Sequence, residues 1–199
     1  MSFKSKPKKQ KFSGFSVAEA FQHLHLTKLT PWTIEIEAVA PSNFFKQRLE
    51  KLQRFDLRAS EESKKLLIDA ILEEGIEGFN HLKIWKGANL ETDTVGGYVD
   101  YLVAEDRDYL YTPFLCIMEA KKDDFEQGLA QCLVEMAACQ WSNQQIGRAI
   151  DIFGIVTNGE GWKFYRLDLA GTVQETNLYS IQTIGVVLGL LRVIFAMCE

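Results

Sequence analysis

TPFLCIMEAKK, residues 112–122, decides how the chain is read. It is a compact apolar run after a polar turn, and it reads as a buried strand. The two-residue period of a strand sets Leu115, Ile117, Glu119 and Lys121 on one side, so an apolar face ends in a carboxylate and an ammonium pointing the same way. Such groups at the end of a buried strand need partners. The preceding apolar stretch, GGYVDYLVA (residues 96–104), carries Asp100 among apolar neighbours. Pairing of the two strands through the polar turn near residues 105–109 sets Asp100 across the ladder from Glu119. Two facing carboxylates repel, so a positive group belongs between them.

Working outward, HLKIWKG (81–87) alternates and adds a third strand, which makes a meander. Before it, ASEESKKLLIDAILEEG (59–75) places Leu66, Leu67, Ala70 and Ile71 at helical spacing, with Ser60 as cap and Gly75 as the stop. After the central run, QGLAQCLVEMAACQWSNQQ (127–145) sets Leu129, Leu133, Met136, Ala137 and Gln140 along one helical face. Asp123, Asp124 and Glu126 suit that helix's positive N-terminal end. DIFGIVTNG and GWKFYRLD give two further strands around an Asn158-Gly159 turn, with Trp162 and Phe164 as core residues. Helix, three strands, helix, two strands is an α/β order. Towards the N-terminus, Ser16 and Glu19 have capping-box spacing, residues 30–42 read as extended, and Ser42 caps a helix over 43–54. The closing segment IGVVLGLLRVIFAMC is short for a membrane span and carries Arg192 near its middle, so it reads as a buried helix within 181–198. Its Gly185 and Gly189 make it a candidate contact for a homodimer.

The 199 residues carry a net charge of −5, which conceals an asymmetry. Residues 1–12 hold five lysines and no acid, leaving 17 basic and 27 acidic groups, a net −10, on the rest. A body that acidic does not attract a polyanion over its whole surface, so nucleic-acid binding requires local basic groups, metal ions or the lysine segment. Residues 1–13 read as a basic flexible tail before a single domain over 14–199, with an N-terminal helical part (14–58), a core (60–168) and the closing helix. Cys116, Cys132, Cys139 and Cys198 lie in apolar stretches without CxxC spacing or neighbouring histidines, so they read as core thiols of a cytoplasmic protein. No signal-peptide pattern follows the basic start.

The natural occupant between Asp100 and Glu119 is Mg²⁺, a hard ion that takes one or two carboxylates and keeps waters for a phosphate substrate, with Mn²⁺ as a substitute. Lys121 beside it is suited to orient or deprotonate an attacking water and to stabilise developing charge. A purely structural ion pair between Glu119 and Lys121 accounts for the spacing equally well.

The order of four elements is more specific. An acidic helix (SEESKKLLIDAIL), a Gly97-Tyr98-Val99-Asp100-Tyr101 strand, Glu119-Ala120-Lys121, and a Thr157-Asn158-Gly159…Trp162 turn follow one another. Together with Gln131 on the intervening helix, they resemble the PD-(D/E)XK nuclease superfamily. The likeness is to the nuclease domain of type I restriction subunits and related stand-alone proteins, and it covers about residues 60–168. It implies a restriction-endonuclease-like core, a central mixed sheet flanked by helices, and Mg²⁺-dependent phosphodiester hydrolysis on DNA. It also implies Asp100, Glu119 and the Ala120 carbonyl as metal ligands, Lys121 as catalytic lysine, Gln131 near the scissile phosphate, and Glu62 or its neighbour Glu61 as an auxiliary acid. The sequence departs from that pattern at Glu135, where type I domains tend to have tyrosine. The rival expectation is a non-catalytic binding module or accessory subunit that keeps the fold. Against it stands the physical cost of burying two like charges for no chemical purpose.

Overall fold

In the computed structural model, which describes residues 9–121 and 124–199, the chain folds into a nine-stranded mixed sheet with helices on both faces. The strands are β1 (Gln10–Lys11), β2 (Thr30–Pro31), β3 (Leu82–Glu91), β4 (Val95–Glu105), β5 (Phe114–Ala120), β6 (Ile152–Thr157), β7 (Gly161–Leu167), β8 (Val173–Glu175) and β9 (Tyr179–Ser180). The helices are α1 (Val17–His23), α2 (Asn43–Leu52), α3 (Glu61–Ile76), α4 (Phe125–Gln145) and α5 (Ile184–Cys198). The meander expected from the sequence forms as β3, β4 and β5, each antiparallel to the next. β6 then lies parallel to β5, the chain crossing between them through α4, and β7 returns antiparallel. A parallel neighbour requires such a crossover, which places α4 against one face of β5 and β6.

Alternation along the strands sends side chains into two separate cores. On one face, Leu102, Ile117, Val156 and Tyr165 pack with Leu133 and Met136 of α4. On the other, Tyr101, Met118, Phe153 and Phe164 pack with Ile68 and Ile71 of α3 and with Leu188, Leu191 and Phe195 of α5. The four cysteines are buried free thiols, two in each core. Trp162 and Phe164 are fully buried, as expected of core residues.

Several boundaries differ from the sequence reading. Gly75 does not end α3, which runs on to Ile76; a Cβ there would stand 3.0 Å from Leu191 Cδ1, so this glycine serves the close approach of α5. Gly78, with φ of +93°, makes the turn instead. α2 stops at Leu52 rather than residue 54. Of the extended stretch 30–42, only Thr30–Pro31 forms a strand, parallel to β8, and the rest is irregular. β8 and β9 are too short to leave a periodic pattern. The basic tail expected over 1–13 lies outside the described residues up to residue 8. Its last part belongs to the fold: β1 pairs in parallel with Val95 and Gly96, Lys9 forms a 2.9 Å ion pair with Glu91, and Phe12 is buried.

Residues 181–198 have the length and composition of a membrane span, with mean hydropathy 2.1. In the fold they are a 3-10 turn followed by α5, whose inner side is in the core. The glycine face expected to meet a second copy is covered by the same chain. The Val39 amide donates to the Gly185 carbonyl at 2.8 Å, and a side chain at Gly189 would run into the Glu37 carbonyl.

Candidate active site

β5 and β4 bring the two acids together. Tyr101 pairs with Met118 and Leu102 with Ile117, and continuing that register by one residue sets Asp100 opposite Glu119. The Ala120 amide donates to Asp100 Oδ2 at 2.9 Å, which ties the β4 carboxylate to the end of β5. The end of β5 is held from its other side by β6, since the Lys121 amide donates to the Thr157 carbonyl at 2.9 Å. Thr157 is in turn built into the turn that follows it. Its hydroxyl donates to the Gly161 carbonyl and accepts from the Gly159 amide, while Asn158 Oδ1 accepts from the amides of Glu160 and Gly161. The Thr-Asn-Gly turn thus braces the strand that carries the Glu-Ala-Lys run.

Glu119 is 1% exposed, and its Oε1 lies 2.7 Å from Lys121 Nζ. Its Oε2 is buried with no hydrogen-bond partner. Burial, and then the nearby Asp100 charge, outweigh the pull of Lys121 and push the Glu119 carboxyl up to about 8. Burial draws the Lys121 ammonium down, but the Glu119 carboxylate more than offsets it, so this lysine is held protonated above its ordinary range. A protonated Lys121 is a hydrogen-bond donor and charge stabiliser rather than a ready base.

The helices supply the remaining groups. Lys121 Nζ donates to Gln131 Oε1 at 3.1 Å, and Gln131 Nε2 donates to Glu135 Oε1 at 3.0 Å, a chain running up one face of α4. Gln131 therefore spends both ends of its amide on Lys121 and Glu135. Glu135 is fully buried and its Oε2 has no partner; burial, then the Glu119 charge, hold its carboxyl well above the usual range. From α3, Lys65 Nζ lies 2.9 Å from Asp100 Oδ1, 2.8 Å from Glu62 Oε1 and 3.8 Å from Glu61 Oε1. Desolvation lowers the Lys65 ammonium, yet its hydrogen bonds to Glu62 and Asp100 prevail and raise it. Of the two acids, Glu62 is 82% exposed on its side chain and turned to Lys65, whereas Glu61 is less exposed and its charge acts on both Glu119 and Lys121. The electrostatic placement thus favours Glu61 over Glu62 as the acid that accompanies the pair.

Sequence reading brought Asp100, Glu119, Lys121 and Gln131 to one place, and the fold brings them there. It missed Lys65 and gave Glu135 no role. Lys65 follows Glu61 by four residues and Glu135 follows Gln131 by four, so helical spacing carried a signal for each. Lys122 and Asp123 lie outside the described residues, and Asp124 caps α4 by accepting from the Gln127 amide at 2.8 Å.

A divalent ion has two carboxylates to meet here. Among the described residues no group of three Asp, Glu, His or Cys side chains converges on one point. The remaining ligands would be backbone carbonyl, water and substrate oxygens, the pattern of Mg²⁺. The unpartnered Glu119 Oε2 leaves one oxygen open to a cation, while Lys65 and Lys121 already neutralise the two acids. A cleft of about 990 Å³ lies elsewhere, lined by His81, Asp106, Pro113, Arg148 and Arg166. Pro113 precedes β5 while Lys121 follows it, so that cleft opens at the opposite end of the strand. Neither a family model nor a curated protein matches this sequence, and the site is read from its geometry.

Proposed function

We propose that the chain is a Mg²⁺-dependent nuclease of the restriction-endonuclease-like fold that hydrolyses phosphodiester bonds in DNA. The observation that carries the reading is the convergence of Asp100, Glu119 and Lys121 at the end of one buried strand, with Gln131 behind the lysine. Asp100 and Glu119, with the Ala120 carbonyl, would hold the ion, which supplies Lewis-acid polarisation of a phosphate oxygen when bound. Lys121, protonated and fixed between Glu119 and Gln131, is placed to donate a hydrogen bond to the attacking water or to the phosphate oxygens as charge develops. Lys65, next to Asp100, adds a second positive charge on the α3 side. The acidic body makes phosphate contact dependent on these local cations, the ion and the lysine-rich N-terminal segment.

The test is metal-dependent cleavage of supercoiled, linear, branched and single-stranded DNA by the purified protein beside Lys121→Ala. Cleavage by wild type that is lost in the variant supports the reading. A wild type that binds no divalent ion and cuts none of these forms leaves the non-catalytic binding module in its place.

A further inference from the structure

Gln131 is the one member of the cluster with a donor end and an acceptor end, and the two ends face groups of opposite demand. The Lys121 ammonium only donates, and Glu135 Oε1 accepts. A half-turn of the amide would set its NH₂ against the Lys121 ammonium, losing that hydrogen bond, and its oxygen against Glu135 Oε1, which holds it only when the carboxyl proton sits on that oxygen. Lys121 divides its ammonium between Gln131 and Glu119, so the amide is not its sole partner. Glu135 is fully buried one turn along α4, near Cys132 and Cys139, and its hydrogen bond is to Gln131 alone. A carboxyl kept in that apolar layer with one oxygen unpartnered costs stability, and the packing of α4 gains nothing from it.

We infer that Glu135 is a positioning residue, which locks the Gln131 amide with its oxygen towards Lys121 and thereby holds the Lys121 ammonium against Glu119. Its hydrogen bond is to Gln131 alone, so its link to the lysine runs through that amide, beside its charge coupling to Glu119. The consequence for cleavage rests on the nuclease reading; the amide orientation does not.

The experiment compares wild type, Glu135→Gln and Glu135→Leu, each shown to be folded by its melting transition, with Glu135→Met used where leucine does not fold. The side-chain amide resonances of Gln131 are assigned by their loss in Gln131→Leu. Loss of the acceptor should speed exchange of the Gln131 NH₂ by about tenfold in Glu135→Leu, the equivalent of one hydrogen bond. Glu135→Gln keeps an acceptor oxygen and should restore the slow exchange. In the cleavage assay kcat should fall by about 10²-fold in Glu135→Leu with KM unchanged, and recover to within about threefold of wild type in Glu135→Gln. Unchanged exchange in Glu135→Leu overturns the inference, as does a loss confined to KM. A wild type that cleaves nothing removes the nuclease reading, while the exchange measurement still decides whether Glu135 sets the amide.

Discussion

Lys65 Nζ lies 2.9 Å from Asp100 Oδ1, so an ammonium from α3 already occupies one lone-pair direction of the acid that β4 brings to the site. A divalent ion approaching Asp100 competes with that charge. Lys65→Met keeps the length of the stem and removes the ammonium, so it should raise the affinity for Mg²⁺ and Mn²⁺ by about tenfold, on the order of 1.4 kcal/mol for one nearby charge. Calorimetric titration reads this directly. Weaker binding in the variant would show that Asp100 is not where the ion sits.

Lys121→Ala and Asp100→Asn should separate chemistry from ion binding. With both acids retained, Lys121→Ala should still bind Mg²⁺, since losing a neighbouring positive charge cannot weaken a cation site electrostatically. Its cleavage should fall about 10²-fold. Asp100→Asn keeps the shape but loses the charge, and should impair ion binding and cleavage together. Equal ion affinity in wild type and Asp100→Asn is the outcome that removes Asp100 from the ligand set.

The Glu119 carboxyl makes the metal-free protein pH-sensitive. Its folded value is raised to about 8 while the unfolded chain titrates near the ordinary carboxylate value of 4.5. Between these limits the folded state holds more protons than the unfolded one, so stability is greatest below about 4.5 as far as this group is concerned and declines as pH rises to about 8. Glu119→Gln should flatten that part of the profile and raise the melting temperature at pH 8. Melting curves in chelator from pH 5 to pH 9 provide the check, and identical slopes for the two proteins would count against a raised carboxyl at this position.

Gly128, near the start of α4, lies over the stem of Lys121. A Cβ there would stand 2.7 Å from Val156 Cγ1 and 3.1 Å from Lys121 Cγ. Val156 is buried in the core, so the start of α4 must shift to clear it, and the Lys121 stem packed against it must move as well. Gly128→Ala should therefore lower cleavage by about tenfold or more through a displaced Lys121, while Mg²⁺ affinity, set by Asp100 and Glu119, stays at the wild-type level. Wild-type cleavage in a folded Gly128→Ala protein would show that the lysine has room to spare.

Much of this arrangement could be read from the chain. The two-residue period of the β5 run put Glu119 and Lys121 on one side, and the family resemblance singled out Gln131 on the crossover helix. Other features depend on distances that no local pattern encodes. The choice between Glu61 and Glu62 turns on the rotation of α3 against the sheet, which leaves Glu61 about half as exposed as Glu62 and with its charge acting on Glu119 and Lys121. Glu135 stands out in the chain only as a departure from the resemblance, and its tie to Gln131 and thence to Lys121 appears only in the fold. Gly75 reads as a helix stop in one dimension and as a contact with α5 in three.

The way α5 lies across the second core bears on how the protein can be cut down for study. The recognisable motifs all fall within residues 60–168, and an expression clone of that stretch would retain every proposed catalytic group. It would also strip Leu188, Leu191 and Phe195 from Tyr101, Met118 and Phe164, together with the irregular strap at 37–39 that rides on Gly185 and Gly189. The sheet would then present an oily wall to water directly behind the strands that carry Asp100 and Glu119. Such a fragment should collect in inclusion bodies, and its inactivity would say nothing about the chemistry of the intact chain.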